Sequence, residues 1–180
     1  MLLVLDNGSV FTQKLVDFLR TLPIDFEHIP ASESVYSEIQ RYDSYILSGR
    51  RKNDPKINVL NSKIIRHAVS NKKPLLGICY GAEILALAMG GSIRRMKNPH
   101  IEEEEIEILV PNPLCEGRIN VYESHHFEIS RLNNSLENIA SSSVCKNEII
   151  RIKDSKIFGT QFHPEMSEDG HRLIERFVSL

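Results

Sequence analysis

One cysteine lies in a setting that could make it a nucleophile. The segment Gly77-Ile-Cys-Tyr-Gly81 follows an apolar run and precedes a helical pattern, with glycines two residues before and two residues after Cys79. This spacing is typical of a nucleophile elbow, a strand-to-helix turn so tight that nearby positions tolerate little side-chain bulk. The turn would also put the thiol at a helix N-terminus, which favours the thiolate. A buried core cysteine at the end of a strand is the alternative.

A second segment supplies the groups that a thiol nucleophile needs. Phe158-Gly-Thr-Gln-Phe-His-Pro-Glu165 places His163 just past an apolar run, with Glu165 two residues later. A base must take the proton of the thiol and later return it to the leaving amine. A carboxylate beside the base fixes its tautomer. The sequence therefore predicts Cys79 as the nucleophile, His163 as the base and Glu165 as the residue that orients the base.

Strand-like and helical patterns alternate along the first half of the chain. Strands are indicated at 2–5, 24–29, 45–47 and 74–78, and helices at 11–22, 57–69 and 84–89. From about residue 106, short segments near 106–109, 119–122, 149–152 and 157–162 indicate antiparallel strands, and 170–178 a last helix. We expect an α/β fold: a doubly wound, open, mostly parallel sheet with helices on both faces and antiparallel additions in the C-terminal half. Sites in such sheets form beyond the carboxyl ends of the parallel strands, where Gly49, Cys79 and His163 are expected.

Composition argues against several other classes of protein. The 180 residues fit a single domain over 1–180, and the net charge of −2 gives no electrostatic case for nucleic acid or an anionic membrane. No apolar run approaches the roughly 20 residues of a membrane helix, and no signal peptide is recognisable, so a cytoplasmic location is expected. Cys79, Cys115 and Cys145 have no close Cys or His spacing, which argues against structural zinc and a disulfide framework.

The two motifs together resemble the class I glutamine amidotransferases, whose signatures are G-x-C-x-G and a late Q-F-H-P-E. The resemblance extends over essentially the whole chain. It implies that Cys79 attacks the carboxamide of glutamine, that a glutamyl thioester forms, and that ammonia passes to a synthetase partner. Neither a metal nor an organic cofactor is implied for this chain.

The resemblance also implies which residues surround the substrate. Backbone N–H groups near Gly49 or Arg50 and of Tyr80 would stabilise the oxyanion. Four further side chains would lie near the bound glutamine: Glu83, Ser124, His125 and His126. The two adjacent histidines have no third ligand nearby in the sequence, so no metal site is predicted there.

Three segments are similar to the amidotransferase of GMP synthases. Leu5-Asp-Asn-Gly-Ser-Val-Phe-Thr-Gln13 resembles its L-D-x-G-S-x-x-T-Q opening, Ile46-Leu-Ser-Gly49 matches its I-L-S-G, and Val121-Tyr-Glu-Ser-His125 resembles the segment before its glutamine site. A stand-alone unit of this size is similar to the split GMP synthases of archaea. This resemblance implies a partner, an ATP-pyrophosphatase subunit that aminates XMP and to which ATP and Mg²⁺ would belong.

Three positions depart from the pattern of the family. Glu83 stands where amidotransferases usually have glutamine and the related γ-glutamyl hydrolases have glutamate. Arg50 replaces the second glycine of S-G-G-P, and Phe127 replaces the aspartate of S-H-G-D. Two alternatives therefore stay open: a free-standing γ-glutamyl hydrolase, and a catalytically weakened binding or regulatory subunit. We expect the isolated chain to hydrolyse glutamine slowly or not at all. The cluster Arg50-Arg51-Lys52 is interpreted as a solvated loop, with an anion or an acidic partner surface as the alternative.

Overall fold

The computed structural model describes residues 1–180 and contains eleven β-strands and four α-helices. The strands are β1 (Leu2–Asp6), β2 (Phe26–Pro30), β3 (Ser44–Leu47), β4 (Leu75–Ile78), β5 (Ser92–His100), β6 (Glu103–Ile108), β7 (Arg118–Tyr122), β8 (His125–Arg131), β9 (Leu136–Ser141), β10 (Ile149–Ile152) and β11 (Ile157–Thr160). The helices are α1 (Thr12–Leu19), α2 (Pro55–Ser70), α3 (Tyr80–Ala88) and α4 (Glu168–Val178). Short 3₁₀ helices cover Glu33–Arg41 and Pro164–Met166.

Nine of the strands form one sheet in the order β2-β1-β3-β4-β11-β10-β9-β6-β7. The first five strands of this order pair in parallel, and the remaining pairs are antiparallel. A separate antiparallel pair is formed by β5 and β8. The predicted doubly wound sheet with C-terminal antiparallel additions is confirmed.

Hydrophobic cores cover both faces of the sheet, as predicted. On one face, α2 and α3 pack through side chains such as Leu60, Ile64 and Leu85. On the other face, α1 and α4 pack through side chains such as Leu15 and Phe177. The strands of the parallel half are apolar throughout because they are buried on both sides.

Local sequence explains where two of these helices begin. The Asp54 side chain accepts a hydrogen bond from the Lys56 N–H, and Pro55 occupies the first turn of α2. The Ser167 hydroxyl accepts from the Gly170 N–H at the start of α4. No helix of the structure is both long enough and apolar enough to cross a membrane.

Several elements differ from the sequence prediction. Strands β5, β8 and β9 and the 3₁₀ helix at Glu33–Arg41 were not predicted. Strand β5 contains exposed basic residues and buries only His100, so it lacks the apolar alternation of a half-buried strand. Helix α3 begins at Tyr80 rather than at residue 84, because the elbow turns directly into the helix.

Candidate active site

The predicted nucleophile lies in a strained turn at the carboxyl end of β4. Cys79 has φ 48° and ψ −102° and is the residue that caps the N-terminus of α3. A Cβ atom at Gly77 would lie 2.5 Å from the Gly81 carbonyl carbon, and one at Gly81 would lie 2.4 Å from the Leu47 carbonyl oxygen. No larger residue fits at either position without movement of the backbone. The elbow geometry predicted from the two glycines is therefore present.

His163 lies just after β11, and a hydrogen bond of its backbone fixes its position. Its N–H donates to the Tyr122 carbonyl oxygen at 2.9 Å, which links the end of β11 to β7. The ring of Phe11 meets the imidazole edge-on at 4.6 Å between centroids. A Cβ atom at Gly49 would lie 2.9 Å from the imidazole Cε1, so the chain after β3 passes directly against the ring. These contacts hold the imidazole in one orientation.

Glu165 lies beside the base, as predicted. Its Oε1 is 2.8 Å from Nδ1 of His163, and both side chains are buried. The short 3₁₀ helix that begins at Pro164 turns the carboxylate back toward the ring. Because Nδ1 is occupied by this bond, Nε2 is the ring nitrogen that remains for the thiol.

Burial and charge act in opposite directions on the Cys79–His163 pair. Burial raises the pKa of the Cys79 thiol, while the charge of His163 and a hydrogen bond to its ring lower it. Cys79 lies at the N-terminus of α3, as expected. The net pKa of its thiol is nevertheless raised, because the effect of burial is the largest. Burial also lowers the pKa of His163, yet Glu165 and Cys79 outweigh it and raise that pKa well above its ordinary value. Glu165 and Cys79 both therefore favour the protonated form of His163.

The two stretches of backbone predicted to bind the oxyanion have N–H groups without a partner in the protein. Gly49 and Arg50 follow β3, and their N–H groups have no acceptor within the protein. Tyr80 begins α3, so its N–H belongs to a first turn without intrahelical acceptors. Both stretches border Cys79, since β3 and β4 are neighbours in the sheet.

The side chain of Arg50 is anchored on the residue that follows the nucleophile. The guanidinium carbon lies 4.0 Å from the centroid of the Tyr80 ring. Its Nη1 donates to Asn53 Oδ1 at 2.5 Å and to Asn58 Oδ1 at 2.9 Å, and the Tyr80 hydroxyl donates to the same Asn58 oxygen at 2.7 Å. Arg50 has no positive φ, so its backbone does not need glycine. Replacement of the family's glycine thus joins the two oxyanion stretches through their side chains.

A pocket of about 390 Å³ opens above Cys79. Its lining includes six of the residues predicted to contact substrate or oxyanion: Arg50, Tyr80, Glu83, Ser124, His125 and His126. Sequence reasoning missed Arg95 at this pocket, because β5 carried no strand signal. A larger cavity of about 540 Å³ lies at the opposite edge of the sheet, where the parallel strands begin, and contains none of the predicted site residues.

The pocket combines one buried carboxyl group with exposed guanidinium groups. Glu83 is buried, and this burial raises its pKa to about 7, although Arg50 and His125 lower it. Arg51 and Arg95 line the open side of the same pocket. The Ser124 carbonyl oxygen lies 4.0 Å from the Cys79 sulfur. The site can therefore receive a ligand with both a cationic and an anionic group next to the thiol.

Comparisons with known proteins agree with this arrangement. The family model for glutamine amidotransferase class-I matches residues 3–179. A glutamine-hydrolyzing GMP synthase subunit from Pyrococcus furiosus is 30% identical over 100% of this chain and 98% of its own length. The protein of the same name from Methanothermobacter thermautotrophicus is 28% identical, over 100% of this chain and 97% of its own.

Solved structures show the same fold. A protein from Thermoplasma acidophilum superposes with a TM-score of 0.87 at 28% identity, covering 99% of this chain and 92% of its own. A glutamine amidotransferase from Thermotoga maritima superposes with a TM-score of 0.76 at 21% identity, covering 99% of this chain and 80% of its own.

Proposed function

The chain belongs to the class I glutamine amidotransferases, and from this membership we propose that it is the glutaminase component of a two-subunit GMP synthase. The observation that carries the chemistry is the elbow thiol beside a buried imidazole whose Nδ1 is 2.8 Å from Glu165. The observation that carries the role in GMP synthase is full-length similarity to archaeal proteins named as glutamine-hydrolyzing GMP synthase subunits.

The proposed reaction begins with proton transfer from the Cys79 thiol to Nε2 of His163. The sulfur attacks the carboxamide carbon of glutamine, and the oxyanion is stabilised by N–H groups of Tyr80 and of the Gly49–Arg50 stretch. His163 then returns the proton to the nitrogen as the C–N bond breaks, which releases ammonia and leaves a glutamyl thioester. A water molecule loses its proton to His163 and attacks the thioester; the C–S bond breaks, the Cys79 sulfur takes the proton back from His163, and glutamate is released.

This chemistry needs a nucleophile, a base and oxyanion donors, and residues of the chain supply each of them. We therefore propose that glutamine hydrolysis by this protein uses no metal or organic cofactor. The synthetase partner, an ATP-pyrophosphatase subunit, would bind ATP and Mg²⁺ and transfer the ammonia to XMP.

We propose that Glu83 recognises the α-ammonium group of the substrate and that Arg51 and Arg95 attract its carboxylate. The carboxyl of Glu83 has a pKa of about 7, so it is anionic above that pH. The KM for glutamine should then fall as the pH rises through about 7. Glu83→Gln should raise KM at pH 8 and remove this pH dependence, while kcat changes less. Parallel pH profiles of KM in the two proteins would contradict the role of Glu83.

The buried carboxylate of Glu83 also favours a second candidate, a free-standing γ-glutamyl hydrolase. Steady-state glutamine hydrolysis, measured with and without an ATP-pyrophosphatase subunit, XMP and ATP, separates the two functions. The GMP synthase function predicts that the partner and its nucleotides raise turnover and that GMP forms. Full activity that is unaffected by the partner would support the hydrolase. No turnover under any condition would leave only a binding role.

Cysteine variants test the chemistry directly. An electrophilic glutamine analogue should label Cys79 and no other cysteine. Cys115→Ala and Cys145→Ala are matched controls, because both thiols are also buried but lie away from the pocket. Labelling of either control cysteine, or loss of turnover in a folded control variant, would overturn the assignment of the nucleophile.

A further inference from the structure

Three buried side chains meet beside the pocket, and none of them transfers a proton or forms a bond in the proposed reaction. They are His100 at the end of β5, Glu123 just after β7 and His125 at the start of β8. One ligand atom from each lies within 4.8 Å of the others. The side chains of His100, Glu123 and His125 are 3%, 0% and 1% exposed, so solvent does not satisfy their polar atoms. The pairing of His100 with His125 across β5 and β8 brings the two rings together.

The polar atoms of this cluster lack hydrogen bonds of good geometry. Both nitrogens of His100, both carboxylate oxygens of Glu123 and Nε2 of His125 form no such bond, although His125 Nε2 and Glu123 Oε2 lie 3.0 Å apart and His100 Nε2 lies 3.3 Å from Glu102 Oε1. An unpaired polar group in the interior destabilises the fold, so buried polar groups normally have partners. Five such atoms in one cluster therefore point to a ligand that binds between them.

The tautomer of His125 is set for a metal ion. Its Nδ1 donates to the Phe127 carbonyl oxygen at 2.7 Å, which leaves Nε2 with a free lone pair. A second partner of this kind commonly orients a metal-binding histidine. Nε2 lies 3.0 Å from Glu123 Oε2. Two ligands of a tetrahedral zinc ion with bonds of about 2.0–2.1 Å lie about 3.3 Å apart, so this pair is close to the spacing required.

Charge also favours a divalent cation. Glu148 is fully buried next to Glu123, and neither carboxylate has a lysine or arginine partner. Two adjacent buried carboxylates repel each other unless a cation or a proton lies between or beside them. A doubly charged ion between or beside the two carboxylates would compensate both.

We propose that His100, Glu123 and His125 form a zinc site in which the metal has a structural role. Two imidazoles and one carboxylate are a donor set that zinc accepts. Glu102 Oε1 and Glu104 Oε2 lie 3.3 Å and 3.9 Å from His100 Nε2, so either carboxylate or a water molecule can complete the coordination. The ion joins the ends of β5 and β7 to the start of β8, and His125 also lines the substrate pocket. The sequence could not predict this site because the fold supplies the third ligand.

The test uses the full chain with Cys79→Ala, so that the thiol and His163 do not compete for metal. After treatment with a chelator and its removal, zinc titration by calorimetry and elemental analysis should find one zinc ion per chain. His100→Ala and Glu123→Gln in this background should each weaken zinc binding at least about 100-fold. His126→Ala is the matched control, because His126 is adjacent to His125 but exposed and outside the cluster, and it should bind zinc unchanged.

A crystal of the Cys79→Ala protein grown with zinc provides a readout that does not depend on whether the ligand variants fold. Anomalous scattering at the zinc edge should place the ion between His100, Glu123 and His125. An anomalous peak elsewhere, a stoichiometry near zero, or binding that survives both ligand variants would overturn the proposal. A stoichiometry near zero would leave a proton shared by Glu123 and Glu148 as the means of charge compensation.

Discussion

The anchored side chain of Arg50 leads to a prediction opposite to the one that the family pattern gives. The family has glycine at this position, so Arg50→Gly would be expected to restore a flexible oxyanion loop and raise activity. In the structure, the guanidinium instead stacks on Tyr80 and bonds to Asn53 and Asn58. Removing the side chain should release the loop, and Arg50→Ala and Arg50→Gly should both lower activity.

The size of the effect follows from the contacts that are lost. An arginine over a tyrosine ring contributes roughly 0.5–2 kcal/mol, and a hydrogen bond to a charged group roughly 1.5–3 kcal/mol. Arg50 is partly exposed, so solvent screening reduces these values, and we expect a total of about 2–3 kcal/mol. If this energy must be supplied when the loop orders in the transition state, kcat/KM falls about 30- to 150-fold. Loss of a single oxyanion donor costs about 100- to 1,000-fold, which sets an upper bound.

The assay is steady-state glutamine hydrolysis by wild type, Arg50→Ala and Arg50→Gly under the same conditions, with the partner present if it is needed for turnover. The loss should fall mainly on kcat, because the oxyanion exists only in the transition state and the intermediate. Lys52→Ala is the matched control: Lys52 is exposed in the same loop and makes no hydrogen bond, so its kcat/KM should stay within about twofold. An increase in kcat/KM for Arg50→Gly would refute the anchoring role.

Three further predictions concern the elbow and the base. Cys79→Ala should abolish glutamine hydrolysis and leave a cooperative thermal unfolding transition; turnover near the wild-type rate would contradict the mechanism. Burial lowers the pKa of His163, but Glu165 helps to raise it well above 6.5. The ion pair therefore contributes its full stabilisation of the fold below pH 6.5. This contribution is lost as the pH rises through the raised pKa of His163. Urea unfolding at several pH values should show that Glu165→Gln weakens this decline, and equal slopes in the two proteins would argue against it. Gly81→Ala should cost about 3 kcal/mol or more of unfolding free energy, because its Cβ would lie 2.4 Å from the Leu47 carbonyl oxygen, and a urea midpoint close to wild type would show the packing argument to be wrong.

The parallel half of the fold was predictable because its signals are local. Strands β1, β3 and β4 are short, largely apolar runs; Asn7-Gly8 follows β1, Ser48-Gly49 follows β3, and β4 runs into the turn at Cys79. The proposed nucleophile and base lie at the ends of such runs, so the topology of an α/β sheet was enough to bring them to one edge. Their roles remain predictions until the variants are measured.

The antiparallel half was less predictable because its strands are stabilised by pairing and by buried polar groups. Strand β5 has the sequence Ser-Ile-Arg-Arg-Met-Lys-Asn-Pro-His, which alternates poorly and includes a proline. It is a strand because β8 pairs with it. Arg95 and His100 were missed for the same reason, since no local pattern indicates that β5 borders the pocket.

The loop after β3 shows why a departure from a motif is hard to interpret from sequence. Considered from the sequence alone, replacement of glycine by Arg50 suggests a disturbed backbone. The structure has an ordinary φ at this position and a side chain held by Asn58 and Tyr80, which are eight and thirty residues further along the chain. The compensation lies in contacts between distant residues, which one sequence without relatives cannot show.

The conformation of Cys79 has a consequence for how the protein tolerates change. A residue with a side chain in such a region of backbone space costs roughly 1–3 kcal/mol, and glycine avoids most of that cost. Cys79→Gly should therefore make the chain more resistant to unfolding while removing the proposed nucleophile. Screens that reward only folding or expression would drift toward loss of the cysteine. Stabilised variants of this protein therefore need to be sorted by activity as well as by melting temperature.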